Sequence, residues 1–116
     1  MSCISVIDKV DAGSDIDFSI RPDNNGAYPD ISDMTCNLTA YYERGLVLDI
    51  SIGSPSANGS AVTLETDGTS QYLAIHIEGI ETDGMDGNFS FYTHLESSAY
   101  GTRTEAKGIY EVCKVL

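Results

Sequence analysis

Apolar and polar residues alternate with a two-residue period along most of this chain. The clearest example lies between Gly87 and Leu95, where Phe89, Phe91 and Leu95 fall on one face of an extended chain. This period is typical of strands that bury one side. We predict strands over residues 2–9, 15–21, 34–42, 46–52, 61–65, 72–77, 88–95 and 106–116.

Turn-forming residues separate these segments. Residues 22–30 are dense in proline, aspartate, asparagine and glycine and form the first candidate binding loop, and residues 78–87 form a second, acidic connection. The short link 43–45 predicts an antiparallel hairpin in which Gly45 supplies a positive φ. Gly87 is expected to need a positive φ as well.

No segment keeps the spacing of an amphipathic helix for three turns, so the predicted fold is all-β. Eight short strands in 116 residues favour a single antiparallel two-sheet β-sandwich over residues 1–116, and a partly open barrel is the alternative. The face that the first strand buries is left open. The predicted core positions of the other strands include Phe18, Leu38, Leu48, Ile75, Phe89 and Phe91, with Ile109, Cys113 and Val115 on the last strand.

The charge of the chain excludes two classes of partner. Asp and Glu outnumber Lys and Arg 18 to 6, for a net charge of −12. Phosphate backbones and anionic membranes are bound by basic side chains, so we expect neither nucleic acid nor membrane as a partner. The first residues lack the features of a signal peptide, so we expect synthesis in the cytoplasm and reduced thiols at Cys3, Cys36 and Cys113.

Candidate chemistry is sparse. His76 and His94 fall on polar strand faces, where we expect solvated side chains, with pH sensing or metal binding as alternatives. The acidic segment 81–87 lacks the spacing of an EF-hand, so solvated turns are expected there and a loosely coordinated calcium ion is the alternative. No nucleophile motif is present. We therefore expect a protein that is not an enzyme and has no cofactor or metal.

The chain has seven tyrosines and no tryptophan. Tyr41, Tyr72 and Tyr92 fall on polar strand faces and could stack on sugar rings. Exposed tyrosines serve a protein interface equally well, because such residues are enriched in interface cores.

Four segments stand out by their order and spacing along the chain: residues 13–20, residues 30–35, Gly87-Asn88-Phe89-Ser90-Phe91 and Gly108-Ile109-Tyr110-Glu111-Val112. In this order they resemble the opening strand, the Asp-Leu-x-Gly-x-Thr entry, the Gly-Tyr-x-Phe entry into a late strand and the closing strand of the immunoglobulin-like modules of tailed-phage virions. Asp33 stands in place of the glycine of the second motif. The resemblance implies an immunoglobulin-like sandwich with a structural or adhesive role in a virion.

The first hypothesis is a structural protein of a phage tail, baseplate or head that assembles with other virion proteins, as a homo-oligomer or in a hetero-assembly. The alternative is a carbohydrate-binding module that uses exposed tyrosines and a loop calcium ion. Strand edges and the two loops are the expected contact surfaces. The candidate interface residues are Asp23, Asn25, Tyr28, Tyr41, Tyr92, Asp83 and Asp86.

Overall fold

The described parts of the chain contain eight strands and one short helix. The structure, a computed structural model, describes residues 4–21, 31–68, 70–97 and 101–114, with the backbone alone at 4–7, 67, 70 and 101–107. The strands are β1 (Ile4–Asp11), β2 (Ile16–Ile20), β3 (Thr35–Tyr42), β4 (Gly45–Ser51), β5 (Ala61–Asp67), β6 (Ser70–Ile77), β7 (Gly87–Ser97) and β8 (Gly101–Cys113). A 3-10 helix, Gly79–Thr82, lies within the predicted acidic connection between β6 and β7.

The strands form two sheets, in the orders β1-β8-β7-β3-β4 and β2-β6-β5. Among the described residues, the strand pairs are antiparallel except β1 with β8, which run parallel. A β2-β6-β5 sheet facing a β8-β7-β3-β4 sheet is the strand order of an immunoglobulin-like sandwich, with the first strand moved to the larger sheet. The predicted two-sheet sandwich is confirmed, and the parallel pairing of β1 was not anticipated.

The core lies between the two sheets. Leu38, Leu48, Ile75, Phe89 and Phe91 are all buried, as predicted. Phe18 differs: it is only partly buried because β2 is an edge strand, although its ring lies 4.7 Å from that of Phe91. The contact joins the two sheets across the core.

The last strand buries the face opposite to the predicted one. Tyr110 and Val112 are buried, whereas Ile109 and Cys113 are half-buried and Val115 lies outside the described residues. The register explains the difference. Tyr110 pairs with Phe89, and residues directly opposite each other on neighbouring strands share a face of the sheet. The Tyr110 ring accordingly stacks on that of Phe91 at 5.6 Å.

The β3–β4 hairpin forms as predicted, but its glycine does not supply the positive φ. Glu43 and Arg44 form the two-residue turn with φ of 49° and 68°, and Gly45 begins β4. Two consecutive positive φ values match the twist of a tight hairpin. The positive φ predicted at Gly87 is confirmed at 138°.

The 3-10 helix has four residues. In the portions of the chain that the structure describes, no helix has the length and apolar character needed to cross a membrane.

Candidate functional site

The predicted interface residues do not form one cluster. Asp23, Asn25 and Tyr28 lie outside the described residues. Tyr41 and Tyr92 lie together on the outer face of the larger sheet. Asp83 and Asp86 are exposed and lie in the connection between β6 and β7, at one end of the sandwich.

Tyr41 and Tyr92 form an edge-to-face pair. Their ring centroids are 6.0 Å apart and their planes differ by 72°. Tyr92 is 46% exposed and Tyr41 is half-buried. Stacking on a sugar needs an open aromatic face, and two rings at this angle do not form one flat platform. The pair instead presents an amphipathic surface of the kind found in protein interfaces.

Two exposed aliphatic side chains lie beside this pair. Leu46 is the register partner of Tyr41, so the two side chains share the outer face, and Leu46 is 56% exposed. Val47 is 36% exposed and lies at the bulge that shifts the register after Ala40. Sequence reasoning did not select Leu46 and Val47. The available signal was the run Leu46-Val47-Leu48, which interrupts the alternation and places apolar groups on both faces.

β4 is also the edge of its sheet, so one side of its backbone has no neighbouring strand in the described chain. An unpaired strand edge is a template for another strand. Farther along β4 the edge is more polar, since Asp49 is exposed and accepts a hydrogen bond from Asn37 Nδ2 at 2.7 Å. The apolar part of the edge is therefore confined to its first residues. We call Tyr41, Leu46, Val47 and Tyr92 the edge patch.

At the end of the sandwich, Glu81 is held by three side-chain donors. Ser56 Oγ, Ser60 Oγ and Asn58 Nδ2 each donate to its carboxylate at 2.8 Å. Burial acts to raise the pKa of Glu81, but these hydrogen bonds outweigh it and hold the pKa below its usual value. Because Glu81 is satisfied by protein donors, the calcium alternative for this loop gains no support from its geometry.

The 3-10 helix at this end of the sandwich is hydrogen-bonded to the turn between β1 and β2. Thr82 is buried; its Oγ1 accepts a hydrogen bond from Gly13 N and donates one to Gly79 O, both at 3.1 Å. Gly79 N donates to Asp15 Oδ1 at 2.7 Å. These bonds fix the 3-10 helix against the first turn of the sandwich.

The Tyr42 hydroxyl forms two hydrogen bonds with the backbone of Asp86, in the same connection between β6 and β7. It donates to Asp86 O at 3.2 Å and accepts from Asp86 N at 3.0 Å. The backbone at Asp86 is thereby held next to the end of β3.

His76 is held between two carboxylates rather than freely solvated, which corrects the expectation for this residue. Asp17 is its register partner on β2 and lies 2.6 Å from Nδ1, and Glu78 lies 3.0 Å from Nε2. The hydrogen bonds to Asp17 and then Glu78 raise the pKa of His76 above its usual value. His94, in contrast, is exposed on the outer face of β7.

One group of metal-ligating side chains converges among the residues that the structure describes. It consists of Asp15, His76 and Glu78, whose ligand atoms all lie within 4.8 Å of one another. None of the acidic residues of segment 81–87, where calcium is the alternative, belongs to it.

Cys36 and Cys113 are free thiols. Burial raises the pKa of Cys36 to about 12. A thiol that stays protonated at neutral pH is a poor nucleophile, so Cys36 suits a packing role.

No protein-family model and no curated protein sequence matches this chain.

Proposed function

We propose that this protein is a non-enzymatic structural module that acts through protein–protein assembly, in the virion of a tailed phage. The observation that supports assembly most directly is the edge patch. Leu46 and Val47 are exposed on β4, the edge strand of its sheet among the described residues, and Leu46 is the register partner of Tyr41, which pairs with Tyr92. Apolar and aromatic side chains next to a free edge suit a partner that adds a strand and packs on the adjacent face.

The setting in a virion comes from the resemblance of residues 13–20, 30–35, 87–91 and 108–112 to phage immunoglobulin-like modules. In the structure, residues 87–91 begin β7 and residues 108–112 lie in β8. The resemblance assigns no catalytic residues to this chain.

Charge restricts the partners of such a module. A net charge of −12 opposes non-specific association between copies. Contacts then become favourable where shape and charge are complementary, either on a basic surface of another virion protein or between symmetry-related copies. Asp23, Asn25, Tyr28, Asp83 and Asp86 remain candidate interface residues for such polar contacts.

Imaging of purified phage particles tests the proposal. We expect this polypeptide at a stoichiometric, symmetry-related position, with the β4 edge against a neighbouring subunit. A chain that is absent from particles would overturn the virion assignment. A monomer that binds an oligosaccharide through Tyr41 or Tyr92 would favour the carbohydrate-binding alternative.

A further inference from the structure

We propose that Asp15, His76 and Glu78 form a binding site for a divalent cation of the zinc type, with Asp17 as the residue that orients His76. This inference concerns a different surface from the edge patch and does not depend on the assembly role.

The three ligands come from neighbouring parts of the backbone. Asp15 directly precedes β2, His76 lies on β6, the neighbour of β2, and Glu78 follows β6 by one residue. The distance between His76 Nε2 and Glu78 Oε1 is 3.0 Å, and no ligand atom is farther than 4.8 Å from another. Ligands about 2.0–2.2 Å from a tetrahedral zinc ion are roughly 3–3.5 Å apart, so small side-chain rotations would suffice.

Asp17 is placed to fix the tautomer of His76. Its carboxylate lies 2.6 Å from Nδ1, and the two residues are held opposite each other by the β2–β6 register. With its proton on Nδ1, the ring directs the Nε2 lone pair at the metal position. A metal-ligating histidine almost always donates its other ring N–H to such a carboxylate or carbonyl.

Asp15 is fixed in a similar way. Gly79 N donates to Asp15 Oδ1 at 2.7 Å, and Gly79 directly follows Glu78. The backbone of the 3-10 helix therefore holds two of the three ligands close to each other, while carboxylate oxygens remain available to an ion.

An ion can reach the site from solvent. Asp15 is exposed, and the side chains of His76 and Glu78 are 37% and 38% exposed. His76 and Asp17 line a surface depression of about 380 Å³ on the outer face of the smaller sheet. Asp15 and Asp17 also line a second depression, of about 170 Å³, together with Asp8 and Lys9 of β1.

The donor set and the charge favour a transition metal over calcium. Three carboxylates, those of Asp15, Asp17 and Glu78, surround one imidazole, so the cluster stays negative even when His76 is protonated. An imidazole nitrogen with carboxylate oxygens suits zinc, whereas calcium takes oxygen ligands only.

Titration of the full-length protein with zinc chloride tests the site, with the melting temperature and the His76 imidazole NMR signals as readouts. We expect zinc to raise the melting temperature and shift the His76 signals, and calcium and magnesium to do neither. The variants Asp15→Asn and Glu78→Gln retain hydrogen-bond acceptors and should fold, but they should weaken zinc binding. Asp17→Asn should weaken it by about 10–100-fold.

The matched control is His94→Ala, which removes the other histidine and should leave the zinc response unchanged. If thiols or His94 held the zinc, the zinc-dependent rise in melting temperature would persist in His76→Ala. His76→Gln takes its place if His76→Ala does not fold. Such persistence would overturn the proposal. A wild-type protein whose melting temperature and His76 signals do not respond to zinc would overturn it too.

Discussion

Gly79 packs directly against the backbone of Gly13. A Cβ built on Gly79 would overlap the Gly13 carbonyl oxygen and lie 2.7 Å from its carbonyl carbon. The 3-10 helix can approach the first turn only because residue 79 has no side chain. This contact sets the distance at which Asp15 receives its hydrogen bond from Gly79.

We therefore expect Gly79→Ala to lower the free energy of unfolding by about 1–3 kcal/mol, the usual cost of overpacking. Gly45→Ala is the matched control, because the φ of Gly45 is not positive and an added Cβ would lie 3.5 Å from Tyr42 O, an ordinary contact. Urea unfolding of both variants measures the difference. Equal stability of the two would contradict the close packing at Gly79.

Phe91 lies at the centre of the core. It is fully buried, and its ring contacts those of Phe18 on the other sheet and Tyr110 on the next strand. Phe91→Ala should lower the free energy of unfolding by about 3–5 kcal/mol, from lost burial and the cavity left behind.

The neighbouring Tyr92 provides the comparison for Phe91, since it lies on the opposite face and is 46% exposed. Tyr92→Ala should change the free energy of unfolding by less than about 1 kcal/mol. If chemical denaturation gave similar losses for the two variants, the assignment of the inward face of β7 would be wrong.

Alternation predicted the strands well where a polar residue occupies every second position. Around β7 it identified Phe89, Phe91 and Leu95 as buried. It failed in β8, because Ile109, Tyr110, Val112 and Cys113 are all apolar or aromatic and either face could be inward. The one polar residue among them, Glu111, is exposed and would have indicated the correct face.

The site was less predictable, because its contacts depend on register. Asp17 and His76 are 59 residues apart, and only the pairing of β2 with β6 brings them together. Local patterns contain no information on that pairing. The hydrogen bonds from Ser56, Asn58 and Ser60 to Glu81 likewise join residues that are 21 to 25 positions apart in the sequence.

Glu81 predicts how stability depends on pH. Its pKa is lowered in the folded protein, so its contribution is fully present above the unfolded-state value of about 4.3 and is lost as pH falls through the folded value. The difference in unfolding free energy between the wild type and Glu81→Gln should therefore shrink on acidification below about pH 4. Denaturation over a pH series measures it; a difference that stays constant would show that Glu81 has an ordinary pKa.

The thiols should differ in reactivity. Cys36 is buried with a pKa of about 12, whereas Cys113 is only partly buried, so a thiol reagent should modify Cys36 slowly in the native protein. After denaturation without reductant, all three cysteines of the sequence should react. Recovery of a single thiol would mean that two of them form a disulfide.

The central claim is that the chain assembles through the edge patch, and the most direct test is the occupancy of variant chains in phage particles. Leu46→Lys places a charge on a 56%-exposed position, so it should leave folding intact. Thr63→Lys adds the same charge at an exposed position of β5 on the other sheet. We predict that Leu46→Lys lowers particle occupancy at least about tenfold while Thr63→Lys does not. Equal occupancy of both variants and the wild type would contradict the account.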